Sequence, residues 1–579
     1  MTAIDLCLSS KDPVLSPFFA LLKQGRYAAL RKRASRQLKK YPTNARLYGF
    51  LGAACAGLSD LDAGIGYYQR ALQLDGSDAS LHQDLGKLFY ARADYPRAVT
   101  CFINAKKHGA EGPELAFHLG ISLMRLNRLR EALSQLAMAL SAEPENAEYA
   151  ARLAEAFEQG GYYDEARKCF EIACSLAAEN FKYQVALARC CYAGGDADRA
   201  LSLCDQALAS GSKSAEIHTI RAAALAALGR LDEASQASRN ALSDKQAAAS
   251  HYYNFAVRHD MATEPDIVGR VMELMHEADG PSERRALHFA MAKVREDLDE
   301  VDQAYEHLVQ GNALRKAELK YDIAHDLQLF ASLKQTFRGA AHKQCAFGAE
   351  ITPVFIVGMP RSGTTLAEAI LARHTEVTAC GELNALLQSL VVAVPDQGIP
   401  TDAEGALLAK TYIDHLPPHA RNSKFVTDKM PENFKMIGHI LMSMPNAKIV
   451  HMCRDPKAVC WSNFKTSFSS KGNGFCYDQE DLVTYYKGHS DLMAFWHHQF
   501  PNKIFDLNYE ALVENPEPEI RKLTDYVGLS WEEACLTPQK GQQMVTTASQ
   551  VQVRRAIYKG SSEAWRRYEA QAGHWLAKL

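Results

Sequence analysis

Residues 352–372 read T-P-V-F-I-V-G-M-P-R-S-G-T-T-L-A-E-A-I-L-A, and three local patterns follow one another along them. Val354–Val357 is a short apolar run, suited to a strand buried on both faces. Gly358–Thr365 is a glycine-rich turn. Leu366–Ala372 continues as an apolar helix. Strand, glycine loop and helix in that order aim backbone N–H groups and a helix N-terminus at one place, where an anion is favoured. The stretch predicts an α/β domain with a central parallel sheet, opened by a P-loop-like turn.

The spacing G-x-x-x-x-G-T-T is close to the loop that grips nucleoside triphosphates. Thr364 stands where that loop carries its lysine. A triphosphatase needs the lysine on its terminal phosphates, and Mg2+ on the next hydroxyl. This loop offers instead Arg361 and the hydroxyls of Ser362, Thr364 and Thr365. That set suits a phosphosulfate, which carries fewer charges and needs no metal. About 90 residues further on, K-I-V-H-M-C-R-D-P-K-A-V-C-W-S reads as a second buried strand, Lys448–Cys453, followed by a helix. By themselves, Arg454–Asp455 read equally as a surface pair and Ser462 as a helix-face hydroxyl.

Pro360–Thr365, P-R-S-G-T-T, resembles the 5'-phosphosulfate loop of the sulfotransferases that use 3'-phosphoadenylyl sulfate (PAPS). The resemblance implies that Arg361, Ser362, Gly363, Thr364 and Thr365 hold the phosphosulfate. It also implies that Arg454 and Ser462, eight apart, hold the 3'-phosphate, one as a charged fork and one as a neutral donor. Further segments are similar to one branch, the protein-tyrosine sulfotransferases and their bacterial relatives. C-G-E at Cys380–Glu382 implies that Glu382 is the general base. That family has two successive glutamates with the second catalytic, whereas Leu383 follows here, so a structural partner for a nearby arginine is the other reading of Glu382. T-D-K-M-P at 427–431 implies that Lys429 stabilises charge on the bridging oxygen; its other reading is a strand-end surface lysine.

N-Y-E-A-L-V at 508–513 and S-Q-V-Q-V-R-R-A-I-Y at 549–558 resemble the family's nucleotide-closing elements. They imply that Tyr509 binds PAPS, that Ser549 contacts the sulfuryl region, and that Gln552, Arg554 and Arg555 border the nucleotide. Y-K-G-S-S-E-A-W at Tyr558–Trp565 implies Lys559 near the 3'-phosphate, although Ala564 replaces the family's lysine before the tryptophan. The resemblance covers roughly 350–570. It implies catalytic roles for Glu382, Lys429, Ser549 and Arg361, PAPS as co-substrate, and no metal. The acceptor is then a hydroxyl, first of all that of a protein tyrosine. A carbohydrate or small-molecule hydroxyl stays open, since the fold serves many acceptors. So does a scaffold with an inactive nucleotide-binding half, which Leu383 and Ala564 favour.

Upstream, the chain repeats every 34 residues in six gapless blocks starting at 45, 79, 113, 147, 181 and 215. Position 8 reads Gly52, Gly86, Gly120, Ala154, Ala188 and Ala222; position 27 reads Ala71, Ala105, Ala139, Ala173, Ala207 and Ala241. Position 20 is Gly64, then Ala98, Ala132, Ala166, Ala200 and Ala234. Position 24 holds Tyr68, Phe102, Leu136, Phe170, Cys204 and Ser238. Small columns let two helices approach closely, and a large column fills the space between hairpins. The pattern resembles the tetratricopeptide repeat (TPR) family and predicts an α-helical solenoid. Its limits are expected at 1–248, with 11–44 as a degenerate leading repeat. Residues 249–347 are expected as a TPR-like helical cap, in which 285–318 restores the small-residue spacing, and 348–579 as the sulfotransferase domain. A TPR groove implies a protein or peptide partner; a spacer or dimerisation arm is the other reading.

The composition sets outer bounds. A formal net charge of −3 gives no electrostatic reason to expect nucleic acid as partner. The longest apolar run, Ala222–Leu228, is too short to span a bilayer, and MTAIDLCLSSKDP does not read as a signal peptide. The 14 cysteines are irregularly spaced, with no C-x-x-C and no zinc spacing, so reduced thiols and a cytoplasmic location are expected. Lys23–Lys40 carries eight Lys/Arg and no acid, either a solvated helix face or a docking surface for an anionic partner.

Overall fold

The computed structural model describes residues 15–243, 247–340, 351–396, 398–468, 472–541 and 560–579. The chain divides into two compact units, Met1–Gly194 and Gly195–Leu579.

The first unit is a stack of helical hairpins. Ala45–Gly57 pairs with Leu61–Leu74, Ala79–Ala91 with Tyr95–Lys107, Pro113–Arg125 with Leu129–Ala142, and Ala147–Gln159 with Tyr163–Leu176. Ser16–Lys23 and Tyr27–Leu38 precede them, where the degenerate repeat was expected. Side-chain caps start many of these helices; the Asp78 carboxylate accepts from the Ser80 and Leu81 amides. The small columns have a direct cause. A Cβ added to Gly52 would come within 2.7 Å of the Tyr68 ring, one on Gly86 within 2.6 Å of Phe102, and one on Gly120 within 2.6 Å of Leu136. The large residue at position 24 therefore sits on position 8 of its own hairpin, as well as filling the interior. Ala71, Ala105, Ala139 and Ala173 are fully buried.

The second unit continues with helices Ala197–Ala209, Ala215–Ala227 and Leu231–Leu242, then five more between Ala249 and Phe337. Two of these, Pro281–Asp297 and Val301–Leu319, pack together over the segment expected as an extra repeat. A five-stranded parallel sheet follows: β1 Thr352–Gly358, β2 Val377–Ala379, β3 Phe425–Asp428, β4 Lys448–Cys453 and β5 Ile504–Asn508. Its order is β2-β3-β1-β4-β5. β1 is central and buried from Pro353 to Gly358, which explains its unbroken apolar run.

The chain fills one side of β1 first and then crosses to β4, so a topological switch point lies between these strands. Ligands of open α/β sheets bind at the carboxyl ends of such strands. The register pairs Gly358 with Met452, which brings the loops after β1 and β4 side by side. The cap and the sheet share one apolar core: Phe289, Leu308, Phe330 and Phe337 cluster with Phe355, Trp461, Tyr485 and Trp496. Polar contacts reinforce it, with the Asn312 amide donating to the Phe464 carbonyl at 2.9 Å and the Ser467 amide to the Tyr253 hydroxyl at 3.3 Å. Among the described residues, no helix is long and apolar enough to cross a membrane.

Candidate active site

The loop after β1 depends on two glycines. Gly358 has φ +144°, and a Cβ there would lie 2.9 Å from the Met452 carbonyl. Gly363 has φ +109°, and a Cβ there would lie 2.6 Å from the Tyr509 ring. Arg361 between them adopts the left-handed region at φ 67°, uncommon for a side-chain-bearing residue. This conformation turns the Arg361 carbonyl to the loop after β4, where Arg454 Nη1 donates to it at 2.9 Å. The Arg361 Nε donates to Ser462 Oγ at 3.1 Å. The two strand ends are thus joined directly, and Ser462 meets Arg361 rather than Arg454.

Ser362 is buried, and its Oγ has no hydrogen-bond partner among the described residues. An unpaired buried hydroxyl is costly, and it lies where the helix Thr364–Leu371 begins. A cradle closed to Cβ atoms, an orphan hydroxyl and a helix N-terminus fit the phosphosulfate of PAPS. Thr364 and Thr365 are buried in the first turn.

Arg454 is fixed from several sides. Its guanidinium lies 4.4 Å over the Tyr509 ring, and its Nε donates to Ser562 Oγ at 3.2 Å. Ser562 in turn donates to Glu510 Oε1 at 2.6 Å, and the Asp455 amide donates to the same oxygen at 3.2 Å. Tyr509 and Ser561 share a hydroxyl–hydroxyl bond of 2.8 Å. Glu510, Ser561 and Ser562 were not among the expected site residues, although all lie inside the segments that carried the resemblance.

A second cluster forms at β2 and β3. Lys429 is 1% exposed, and its Nζ donates to Glu382 Oε1 at 2.5 Å. The Glu382 side chain is 42% exposed, so this carboxylate faces solvent while its partner does not. Lys429 is therefore no surface lysine, and the partner of Glu382 is this lysine rather than an arginine. The Lys429 amide also donates to the Gly381 carbonyl at 2.8 Å. Asp428 is fully buried, bonded by the Tyr412 hydroxyl and the Asn433 amide, both at 3.3 Å. Burial pushes its carboxyl up to about 8. Ser549, Gln552, Arg554, Arg555 and Lys559 lie outside the described residues.

One group among the described residues has the donors of a cation site: His451, Cys453 and Asp506, within 4.8 Å of one another. They already bond to each other. His451 Nδ1 and Asp506 Oδ1 are 2.8 Å apart, His497 Nε2 lies 3.1 Å from the same oxygen, and Cys453 Sγ lies 3.4 Å from His451 Nδ1. Burial pushes the Cys453 thiol up to about 12.

Comparison with known proteins agrees with this architecture. Residues 353–533 match the model of the sulfotransferase family, and residues 84–137, 117–180 and 152–215 match that of the tetratricopeptide repeat. The chain carries tetratricopeptide repeats followed by a domain of the sulfotransferase family. It is 34% identical over 311 residues to an uncharacterized protein of Aquifex aeolicus, covering 49% of this chain and 40% of that one. It is 26% identical over 191 residues to a putative protein-tyrosine sulfotransferase of Caenorhabditis briggsae, covering 32% of this chain and 68% of that one. Among solved structures, the TPR protein YrrB, described as having an unusual peptide-binding site, aligns with a TM-score of 0.30 at 20% identity, over 32% of this chain and 95% of that one.

Proposed function

We propose that this chain transfers the sulfuryl group of PAPS to an acceptor hydroxyl, that of a protein tyrosine first. The observation that carries the reading is the direct join between the two strand ends, Arg454 to Arg361 and Arg361 to Ser462, beside a buried lysine paired with an accessible glutamate. Bound PAPS supplies the sulfuryl group and leaves as the bisphosphate.

The protein's part is positioning and electrostatics. Backbone N–H groups of the Gly358–Thr365 loop and the Ser362 hydroxyl bind the phosphosulfate. Arg454 and Ser462 bind the 3'-phosphate, with Tyr509 and Glu510 holding Arg454 in place. Arg361 and Lys429 balance charge near the bridging oxygen. Glu382 accepts the acceptor's proton, its solvent-facing position leaving room for the incoming hydroxyl. By the same resemblance, Ser549 contacts the sulfuryl region, Gln552, Arg554 and Arg555 border the nucleotide, and Lys559 serves the 3'-phosphate. The repeats of the 1–248 solenoid, ahead of the 249–347 cap and the 348–579 sulfotransferase domain, bind a protein or peptide partner through their groove.

Two measurements test this. Calorimetry should show binding of adenosine 3',5'-bisphosphate and none of ATP. Incubation with labelled PAPS and acceptor panels should yield sulfotyrosine on protein. A sulfated glycan or metabolite would replace the acceptor, and magnesium-dependent ATP hydrolysis would overturn the whole reading.

A further inference from the structure

Glu368 is the only charged side chain in the helix T-T-L-A-E-A-I-L, which starts at the phosphate loop. It is buried at 7% exposure. A carboxyl on an apolar helix face costs several kcal/mol unless it is bonded, so its place needs a reason. Its bonds supply one. A single oxygen, Oε1, accepts from the Gly381 amide at 2.9 Å and from the Thr427 hydroxyl at 2.8 Å. Gly381 immediately precedes Glu382, and Thr427 stands two residues before Lys429.

Gly381 itself is held through both of its backbone polar groups. Its N–H goes to Glu368 and its carbonyl to the Lys429 amide at 2.8 Å. It adopts φ +68° with open space where a Cβ would be, so bonding and conformation, not packing, fix this turn. The positive charge of Lys429 also acts on Glu368 and opposes the effect of burial on it.

We propose that Glu368 is a positioning residue that ties the phosphate loop to the Glu382–Lys429 pair. The proposal rests on the sulfuryl-transfer reading. Glu368 lies one helical turn beyond Thr364, so the helix that faces the nucleotide also carries the acceptor of the Gly381 and Thr427 bonds. Base, cation and cradle are then registered by one rigid connection, which is what a pre-organised site requires.

The test uses the full-length chain with Glu368→Ala, Glu368→Gln and Thr427→Val. Glu368→Ala should lower kcat about 10²-fold, the effect of a misplaced catalytic group, with KM for PAPS little changed. Glutamine keeps an acceptor oxygen and should restore kcat to within about fivefold of wild type. Thr427→Val deletes one of the two bonds and should cost about tenfold, which keeps the test open if the alanine variant fails to fold. Amide exchange at Gly381 gives a readout independent of turnover: it should accelerate at least about tenfold in Glu368→Ala and stay near wild type in Glu368→Gln. Wild-type kcat and exchange in the alanine and valine variants would overturn the proposal. So would a raised KM with unchanged kcat, or a glutamine variant no better than alanine. If wild type transfers no sulfuryl group, the functional reading fails, and the Gly381 exchange still decides the role of Glu368.

Discussion

Arg454 donates from Nη1 to the backbone carbonyl of Arg361 at 2.9 Å, so a side chain of one strand end holds the main chain of the other. Losing this arginine should therefore do two things, removing the proposed ligand of the 3'-phosphate and releasing the loop. Arg454→Ala is expected to weaken adenosine 3',5'-bisphosphate binding by about 1.5–3 kcal/mol, the worth of a charge-assisted hydrogen bond. Arg454→Lys should recover little, because an ammonium cannot reach Arg361, Ser562 and a phosphate at once. Calorimetry reads both; full rescue by lysine would remove the fork from the account.

Glu382 should separate binding from chemistry. Glu382→Ala is expected to lower kcat by about 10²–10⁴-fold, the usual contribution of a general base, while bisphosphate affinity changes little. Unchanged turnover in a labelled-PAPS assay would take the base role away from it.

Asp428 makes a pH-dependent contribution to stability. Its carboxyl rises from an ordinary 3.8 to about 8 on burial, so the folded chain holds that proton more tightly than the unfolded one. Stability from this group is full below about pH 4 and is lost as pH rises toward 8. Asp428→Asn should flatten that decline. Urea midpoints at about pH 5 and about pH 8 measure it, and equal slopes for the two proteins would contradict the buried neutral acid.

The repeat columns trade volume in five of the six blocks. Gly120 faces Leu136, whereas Ala188 and Ala222 occur in the repeats that carry Cys204 and Ser238 instead; the fourth block, with Ala154 and Phe170, is the exception. Gly120→Ala should destabilise the solenoid by about 1–3 kcal/mol through overpacking. Adding Leu136→Cys should return part of that loss. Thermal or urea unfolding of the single and double variants tests the coupling, and strict additivity would refute it.

Periodicity and motif order carried much of this molecule in readable form. Lys448–Cys453 is the strand that its apolar run predicts, and β1 extends the expected Val354–Val357 by two residues before it and one after. The repeat columns are the buried alanines and the glycines under large side chains. Other features depended on register that no linear spacing displays. His451 faces Asp506 because β4 pairs with β5, 55 positions apart in the chain. Ser462 reaches Arg361 because the helix after β4 returns over the loop after β1. Glu368 looked like one more helix residue; its sole signal was an acid within an apolar run.

Phe330, Leu333 and Phe337 come from the helical region upstream of the sheet, yet they sit in the same core as Phe434, Tyr485 and Trp496. A Cβ on Gly438 would strike the Phe337 ring at 2.7 Å, so that ring occupies a socket shaped for it. Excising residues 353–533 as a stand-alone enzyme would leave those sockets open to water. The smallest portion of this chain that can be dissected, or transplanted onto another protein, must bring the upstream helices with it.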